Sequence, residues 1–287
     1  MTLGKKLAYI FWSSRPISWI NTAYPFAAAY LMIRGEIDLT AIIGTIFFLI
    51  PYNLLMYGVN DVFDYESDLR NPRKGGIEGA LLPKEIHRTV IWTAVLSCVP
   101  FVVYLIIVGN LNSTLWLALF IFTVVAYSAK HLRFKEIPVL DSITSASHFV
   151  GPMIFALALT NQNLGNPKLL AIIAAFTLWG MASHAFGAVQ DVRADREGKI
   201  ASIATYFGAR TTTRTALAMY LVAGIALLTL GWPANFVAIA AVPYVLILIP
   251  HLNITDETCE SANRGWKQFI WLNFFAGFVA NMVLISG

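Results

Sequence analysis

Long apolar runs separated by short polar or charged breaks set the pattern of this chain. Predominantly apolar stretches lie at roughly 16–34, 41–60, 89–108, 113–129, 139–160, 168–190, 215–232, 234–250 and 268–286. Each approaches the ~20 residues an α-helix needs to cross the hydrocarbon core of a bilayer. They are too long for the ~10-residue strands of a transmembrane barrel. Backbone groups in lipid must also find their partners within the segment. The pattern therefore predicts an all-α integral membrane protein with nine transmembrane helices. The connections between runs are mostly short, which predicts a single domain over 1–287 with no soluble appendage.

Composition and charge sharpen this picture. The chain is 57% hydrophobic and 13% charged, about half the ~25% charged residues usual in a soluble domain. Lysine and arginine accumulate on the cytoplasmic side of membrane proteins, so their distribution tests the helix count. With the N-terminus inside, 18 of the 20 basic residues fall on one side, and only Arg34 and Lys168 fall on the other. The expected protein is multi-pass in the cell membrane, with a basic cytoplasmic face. The net charge of +4 belongs to that face and implies no nucleic-acid partner. The first apolar run has no small-residue cleavage pattern and reads as a retained anchor. Cys98 and Cys259 have neither metal nor pairing spacing, and both read as inert.

Two polar breaks carry chemistry. The first, GVNDVFDYESDLRNPRKGG over 58–76, places Asp61, Asp64, Glu66 and Asp68 in one window and follows them with Arg70, Arg73 and Lys74. At ~100° per residue, Asp61, Asp64 and Asp68 fall within a ~60° arc if the second helix continues, with Asn60 at its edge. One aspartate at a helix end is ordinarily solvated. Three on one stripe repel one another unless a cation sits between them. The second break, GAVQDVRADREGKIAS, repeats the theme with Asp191 and Asp195 at i and i+4 and with Arg193, Arg196 and Lys199 interleaved.

Both breaks end a membrane helix on the same predicted side, in loops at about 60–88 and 190–214. Hard carboxylate oxygens suit Mg²⁺, which takes few protein ligands and completes its shell with phosphate oxygens. Lysine and arginine suit the remaining phosphate oxygens. A diphosphate held this way becomes a better leaving group, because its developing charge is neutralised in place. The allylic carbocation left behind needs an apolar pocket that excludes water. The acids and cations together read as a Mg–diphosphate clamp.

Asn60-Asp61-x-x-Asp64-x-x-x-Asp68 resembles the first signature of the UbiA superfamily of intramembrane prenyltransferases, and Asp191-x-x-x-Asp195 resembles the second. The nine predicted helices, the orientation and the motif positions are similar to that family over essentially the whole chain. The resemblance implies one helical bundle around a central cavity. It implies that Asn60, Asp61, Asp64, Asp68, Asp191 and Asp195 hold Mg²⁺ and a prenyl diphosphate. Arg15, in Ser14-Arg15-Pro16, resembles the family's early Arg-Pro and is expected to reach the diphosphate, as are Lys130, after the family-like Tyr127-Ser128, and Lys199; Tyr127 is expected to contact the substrate. Many members carry an arginine just before a Pro-Leu pair later in the first acidic loop. Here the place reads Gly79-Ala80-Leu81-Leu82-Pro83, and Arg73 and Lys74 are expected to substitute.

Several stretches also resemble the lycopene elongase subgroup, among them SSRPISWINTAYPF and WGMASHAFGAVQDVRADRE. That implies dimethylallyl diphosphate as donor and lycopene, or another apolar polyene, as acceptor. The membrane segments are compatible with this acceptor. Apart from Asp141 they hold only His, Asn and Gln as markedly polar groups, with no buried cation for an acceptor carboxylate. Tyr57, Tyr52, Trp179 and Phe186 are candidates to shield the carbocation by cation–π attraction, against the plainer role of packing. His184, two turns before Asp191, is a candidate substrate contact, against a simple interhelical hydrogen bond. A quinone-pathway prenyltransferase with an aromatic acceptor is the alternative on the same fold. A cation transporter would place its charges nearer the midplane, and the Asp-Gly-x-x-Ala-Arg opening of a CDP-alcohol phosphotransferase is absent.

Overall fold

In a computed structural model of the chain, residues 1–69 and 81–286 are described. Their elements are α1 (Leu3–Ser13), a 3-10 turn (Pro16–Ser18), α2 (Ile20–Arg34), α3 (Leu39–Phe63), a short α4 (Tyr65–Asp68), α5 (Lys84–Val108) and α6 (Leu111–Ser128). There follow α7 (Leu140–Leu159), α8 (Pro167–Val189), the short α9 (Val192–Glu197) and α10 (Ile203–Phe207), α11 (Ala209–Leu228), α12 (Ala234–His251) and α13 (Asn263–Ser286). Among the described residues there is no strand, and seven helices (α3, α5, α6, α7, α8, α11 and α12) are long and apolar enough to cross a membrane. The other two predicted spans correspond to α2 and α13. The first is shortened because Pro16 opens a separate 3-10 turn. This leaves α2 with 15 residues, or ~22 Å at 1.5 Å per residue. α13 runs for 24 residues and carries Arg264 and Lys267 near its start. The sequence reading missed α1, which is too short and too lysine-rich to register as an apolar run.

The chain divides into two compact units, Met1–Arg133 with Gly151–Gln162, and Phe134–Val150 with Asn163–Gly287. In the first unit, α2, α3, α5 and α6 enclose a core of Phe26, Phe47, Phe48, Tyr52, Leu117 and Phe155. Phe48 centres an aromatic cluster, with ring centroids 4.8 Å from Phe47, 5.1 Å from Tyr52 and 5.2 Å from Phe26. Gly44 lets α2 approach, because a Cβ there would run into the Phe26 ring. The Tyr30 hydroxyl donates to Asp38 Oδ2 at 2.8 Å while Asp38 Oδ1 caps the Ala41 N–H at 2.8 Å, joining the end of α2 to the start of α3.

α3 is not a uniform helix. Pro51 lacks the N–H that would continue the ladder, and Leu54–Gly58 form a π turn. Asn53, fully buried, mends the break. Its amide donates to Phe48 O at 2.8 Å, Leu49 O at 3.1 Å and Thr22 Oγ1 at 2.6 Å. Each π turn inserts one residue and advances everything after it by about 100°. The first acidic motif begins two residues later.

In the second unit, α8, α11, α12 and α13 surround Phe186, Tyr220, Tyr244, Leu248 and Phe269. The Tyr220 and Tyr244 rings stack at 5.2 Å. Ser183 Oγ lies 2.9 Å from the Tyr220 hydroxyl, and the Tyr244 hydroxyl donates to Asn273 Oδ1 at 2.9 Å. Gly180 sets the approach of α8 to the N-terminal half of α7. A Cβ there would stand 2.9 Å from both Cα and Cβ of Ala146.

Candidate functional site

The first acidic motif straddles the end of α3. Phe63 closes that helix, Asp64 sits in the bridge region (φ −96°, ψ 0°), and α4 resumes at Tyr65. Asp64 N–H still bonds Asn60 O at 2.9 Å and Asp68 N–H bonds Asp64 O at 2.8 Å, so the helical spacing runs through the junction. Asp61, Asp64 and Asp68 are all buried, at 1%, 7% and 6% exposure, whereas Glu66 between them is exposed. Burial thus separates three candidate ligands from a fourth carboxylate of the same stretch.

Cations accompany the buried acids. Arg15 Nη2 donates to Asp61 Oδ1 at 2.9 Å, with the Asp61 side chain fully shielded and that of Arg15 16% exposed. The Arg15 guanidinium also lies over the Tyr57 ring, 4.3 Å from its centroid. Burial works against the Arg15 charge, yet the facing Asp61, together with Tyr57 and Asp68, outweighs it and keeps the guanidinium pKa above its usual value. Arg15 reaches this place from a left-handed backbone conformation (φ 48°, ψ 74°), which is strained for a side chain with a Cβ. Arg133 Nη2 stands 3.5 Å from Asp64 Oδ1, again from a positive φ of 42°. Asn60 Oδ1 accepts a hydrogen bond of 2.8 Å from Ser128 Oγ. Glu66 pairs with Lys84 at 2.6 Å in full solvent.

The second motif, in the other unit, folds around α9. Asp191 occupies its N-cap position (φ −98°, ψ −4°), and Asp195 N–H bonds Asp191 O at 2.8 Å, so the two acids keep their i, i+4 relation. Both are half-buried. Arg196 turns away from them. It donates to Asp256 Oδ2 at 2.6 Å and to Thr205 O at 3.1 Å. Asp256 Oδ1 in turn accepts the Ala209 N–H at 2.7 Å. Burial would raise the Asp256 pKa, but the Ala209 N–H and Arg196 prevail and hold it below the usual carboxylate value. Asn263 donates to Gln190 Oε1 at 2.7 Å. The stretch from Leu252 to Asn263 is therefore fastened to both ends of the second acidic loop.

The other expected residues divide. Tyr57 lies in the first motif's surroundings, beneath Arg15. Tyr127 is half-buried near the end of α6, Lys130 is exposed just beyond it, and Lys199 is exposed at a positive φ of 57°. His184 receives an interhelical partner, its Nε2 lying 3.4 Å from Oδ2 of the fully buried Asp141. That carboxylate also accepts the Ile203 N–H at 2.7 Å. Arg73 and Lys74 lie outside the described residues. Sequence reasoning missed Arg133 and Ser128 as site residues. Their signal was only proximity in sequence to Lys130.

The donor set fits magnesium. Aspartate and asparagine oxygens are hard ligands. Among the described residues no three His, Cys, Asp or Glu side chains are grouped to hold a metal by themselves.

A model of the UbiA prenyltransferase family matches residues 22–274. The chain is 52% identical to a lycopene elongase/hydratase of Corynebacterium glutamicum over 98% of both chains. It is 52% identical to a C(50) beta-cyclic carotenoids biosynthesis protein of Dietzia sp. (strain CQ4), over 97% of this chain and 65% of that one. In fold it resembles a UbiA homologue from Archaeoglobus fulgidus solved with DMAPP and Mg²⁺, at TM-score 0.67 and 18% identity, over 96% of this chain and 99% of that one.

Proposed function

The chain belongs to the UbiA prenyltransferase family, and on that premise we propose that it transfers dimethylallyl groups from dimethylallyl diphosphate to both ends of lycopene, releasing diphosphate, in C50 carotenoid synthesis. The observation that carries this reading is the alternation of buried acids and cations at the end of α3, Asp61 with Arg15 and Asp64 with Arg133. A ligand that joins a metal cation to a phosphate anion matches such an alternation. The relatives' names support the acceptor.

In the proposed reaction Asp61, Asp64, Asp68, Asp191 and Asp195 hold Mg²⁺, with Asn60 beside them. Bound magnesium supplies positive charge to the diphosphate leaving group. Arg15, Arg133, Lys130 and Lys199 contact phosphate oxygens, and Arg73 and Lys74 are proposed to join them. Arg15 and Arg133 are suited to exchange, because each already balances a carboxylate and can turn to phosphate when that carboxylate is engaged. The allylic carbon–oxygen bond breaks and its electron pair departs with the diphosphate. The terminal double bond of lycopene attacks the allylic cation and forms the new carbon–carbon bond. The resulting tertiary cation takes up water and releases a proton, leaving a hydroxylated end, or loses a proton directly. The distribution of Lys and Arg supports a cytoplasmic position for the acidic loops.

The test is product analysis by liquid chromatography and mass spectrometry in a host that accumulates lycopene. New C45 and C50 carotenoids that vanish with Asp64→Ala are expected, and their masses separate water capture from proton loss. Unchanged lycopene in cells holding the folded protein would overturn the acceptor and move the reading to an aromatic one.

A further inference from the structure

α1 is 11 residues long, ~16 Å, and cannot cross a ~30 Å hydrocarbon core. Yet its outward side is apolar. Leu3, Leu7, Phe11 and Trp12 are exposed at 73%, 57%, 47% and 61%. At ~100° per residue these four, with Gly4 and Ala8 among them, fill an arc of ~180°. Lys5 stands ~20° beyond the Trp12 edge of that arc and Lys6 ~60° beyond the Leu3 edge. The opposite side is committed to the protein. Tyr9 and Ile10 pack against Leu82, Ile86 and Val90, and the buried Ser13 hydroxyl donates to Tyr9 O at 2.8 Å.

A half-cylinder of Leu, Phe and Trp would be costly to leave in water; Lys5 borders its Trp12 edge, and Lys6 lies past Ile10 beyond the other. That combination fits one kind of partner. We propose that α1 is an interfacial helix, its exposed arc bedded at the boundary of headgroups and acyl chains, with Lys5 and Lys6 pairing with anionic phospholipid. Three features favour this occupant. The flanking charges complement an anionic surface. The aromatic pair Phe11 and Trp12, with ring centroids 5.3 Å apart, is of the type enriched at membrane interfaces. The chain also passes from α1 through one 3-10 turn into the apolar α2. Bedding the helix also fixes the backbone that delivers Arg15 to Asp61. The inference rests on the multi-pass membrane character of the chain and not on its acceptor.

The test uses the full chain in nanodiscs of phosphatidylcholine with or without phosphatidylglycerol. A nitroxide is placed at Leu7→Cys, and in a separate variant at the exposed loop position Glu36→Cys; the native Cys98 and Cys259 are buried. Collisions with oxygen and with a water-soluble nickel chelate are compared by electron paramagnetic resonance. At position 7 oxygen collisions should exceed those with the chelate, and the excess should grow when phosphatidylglycerol is added. Lys5→Gln with Lys6→Gln should abolish that growth. A label at position 7 that meets the chelate as freely as one at position 36 would overturn the proposal. An excess unchanged by phosphatidylglycerol would overturn its anionic-lipid part. Both readings are independent of prenyl transfer.

Discussion

Replacing Arg15 by Gln separates two rankings of the ion pairs beside the first acidic motif. By distance alone Lys84–Glu66, at 2.6 Å, outranks Arg15–Asp61 at 2.9 Å. By burial the order reverses, because Lys84 and Glu66 side chains are 65% and 70% exposed while Asp61 is wholly covered. Removing one partner of a buried pair costs about 3–5 kcal/mol, chiefly because a charge is left in a poorly solvated place. Arg15 retains 16% exposure, which places Arg15→Gln at the lower end, about 3 kcal/mol. A double-mutant cycle with Asp61→Asn, read by circular dichroism during reversible unfolding in mixed dodecylmaltoside–SDS micelles, should return a coupling of about 2–3 kcal/mol. The cycle Lys84→Gln with Glu66→Gln should return none that is measurable, as expected for an exposed pair. Equal coupling in the two cycles, or a smaller one for Arg15–Asp61, would refute the argument from burial.

The close approach at Gly180 predicts that Gly180→Ala destabilises by about 1–3 kcal/mol, since the Ala146 backbone cannot yield, while Gly4→Ala, which meets nothing within 4 Å and lies in a helix, is stabilising by up to about 1 kcal/mol in the same micelle titration. Asp256 has its pKa lowered in the folded state, so its stabilisation is present above the usual carboxylate pKa of about 4 and lost as pH falls through the lowered folded value. The thermal midpoint of the wild type should exceed that of Asp256→Asn at neutral pH, and the gap should close under acid. Chelation by EDTA should abolish product formation in membranes and added Mg²⁺ should restore it, read by the same chromatographic assay.

Apolar run length made the seven long apolar helices legible, because crossing a bilayer demands about 20 apolar residues of each. The acidic motifs were legible as local patterns, and the helical spacing of Asp61, Asp64 and Asp68 persists even though α3 ends between them. What escaped depends on contacts distant in sequence or on backbone detail. Arg133 meets Asp64 from a loop 69 positions later, and Asp141 meets the Ile203 N–H from 62 positions earlier. Neither has a local signature. The break at Pro16–Ser18 alters no hydropathy average, and the amphipathic α1 is hidden from a method that rewards uniform apolarity. For Arg15, sequence gave the residue but not its left-handed backbone.

The π turn at Leu54–Gly58 gives α3 two phases along one axis. Removing a single residue there would restore an ordinary α turn and swing Asp61, Asp64 and Asp68 by about 100° relative to the first half of the helix. Every ligand would survive, and the motif would still read Asn-Asp-x-x-Asp-x-x-x-Asp. The direction in which it points would not. Homologues that differ by one residue opposite this turn would therefore share a signature while aiming it differently, so a one-position gap upstream of the motif would tell more about divergence of the site than any substitution within it.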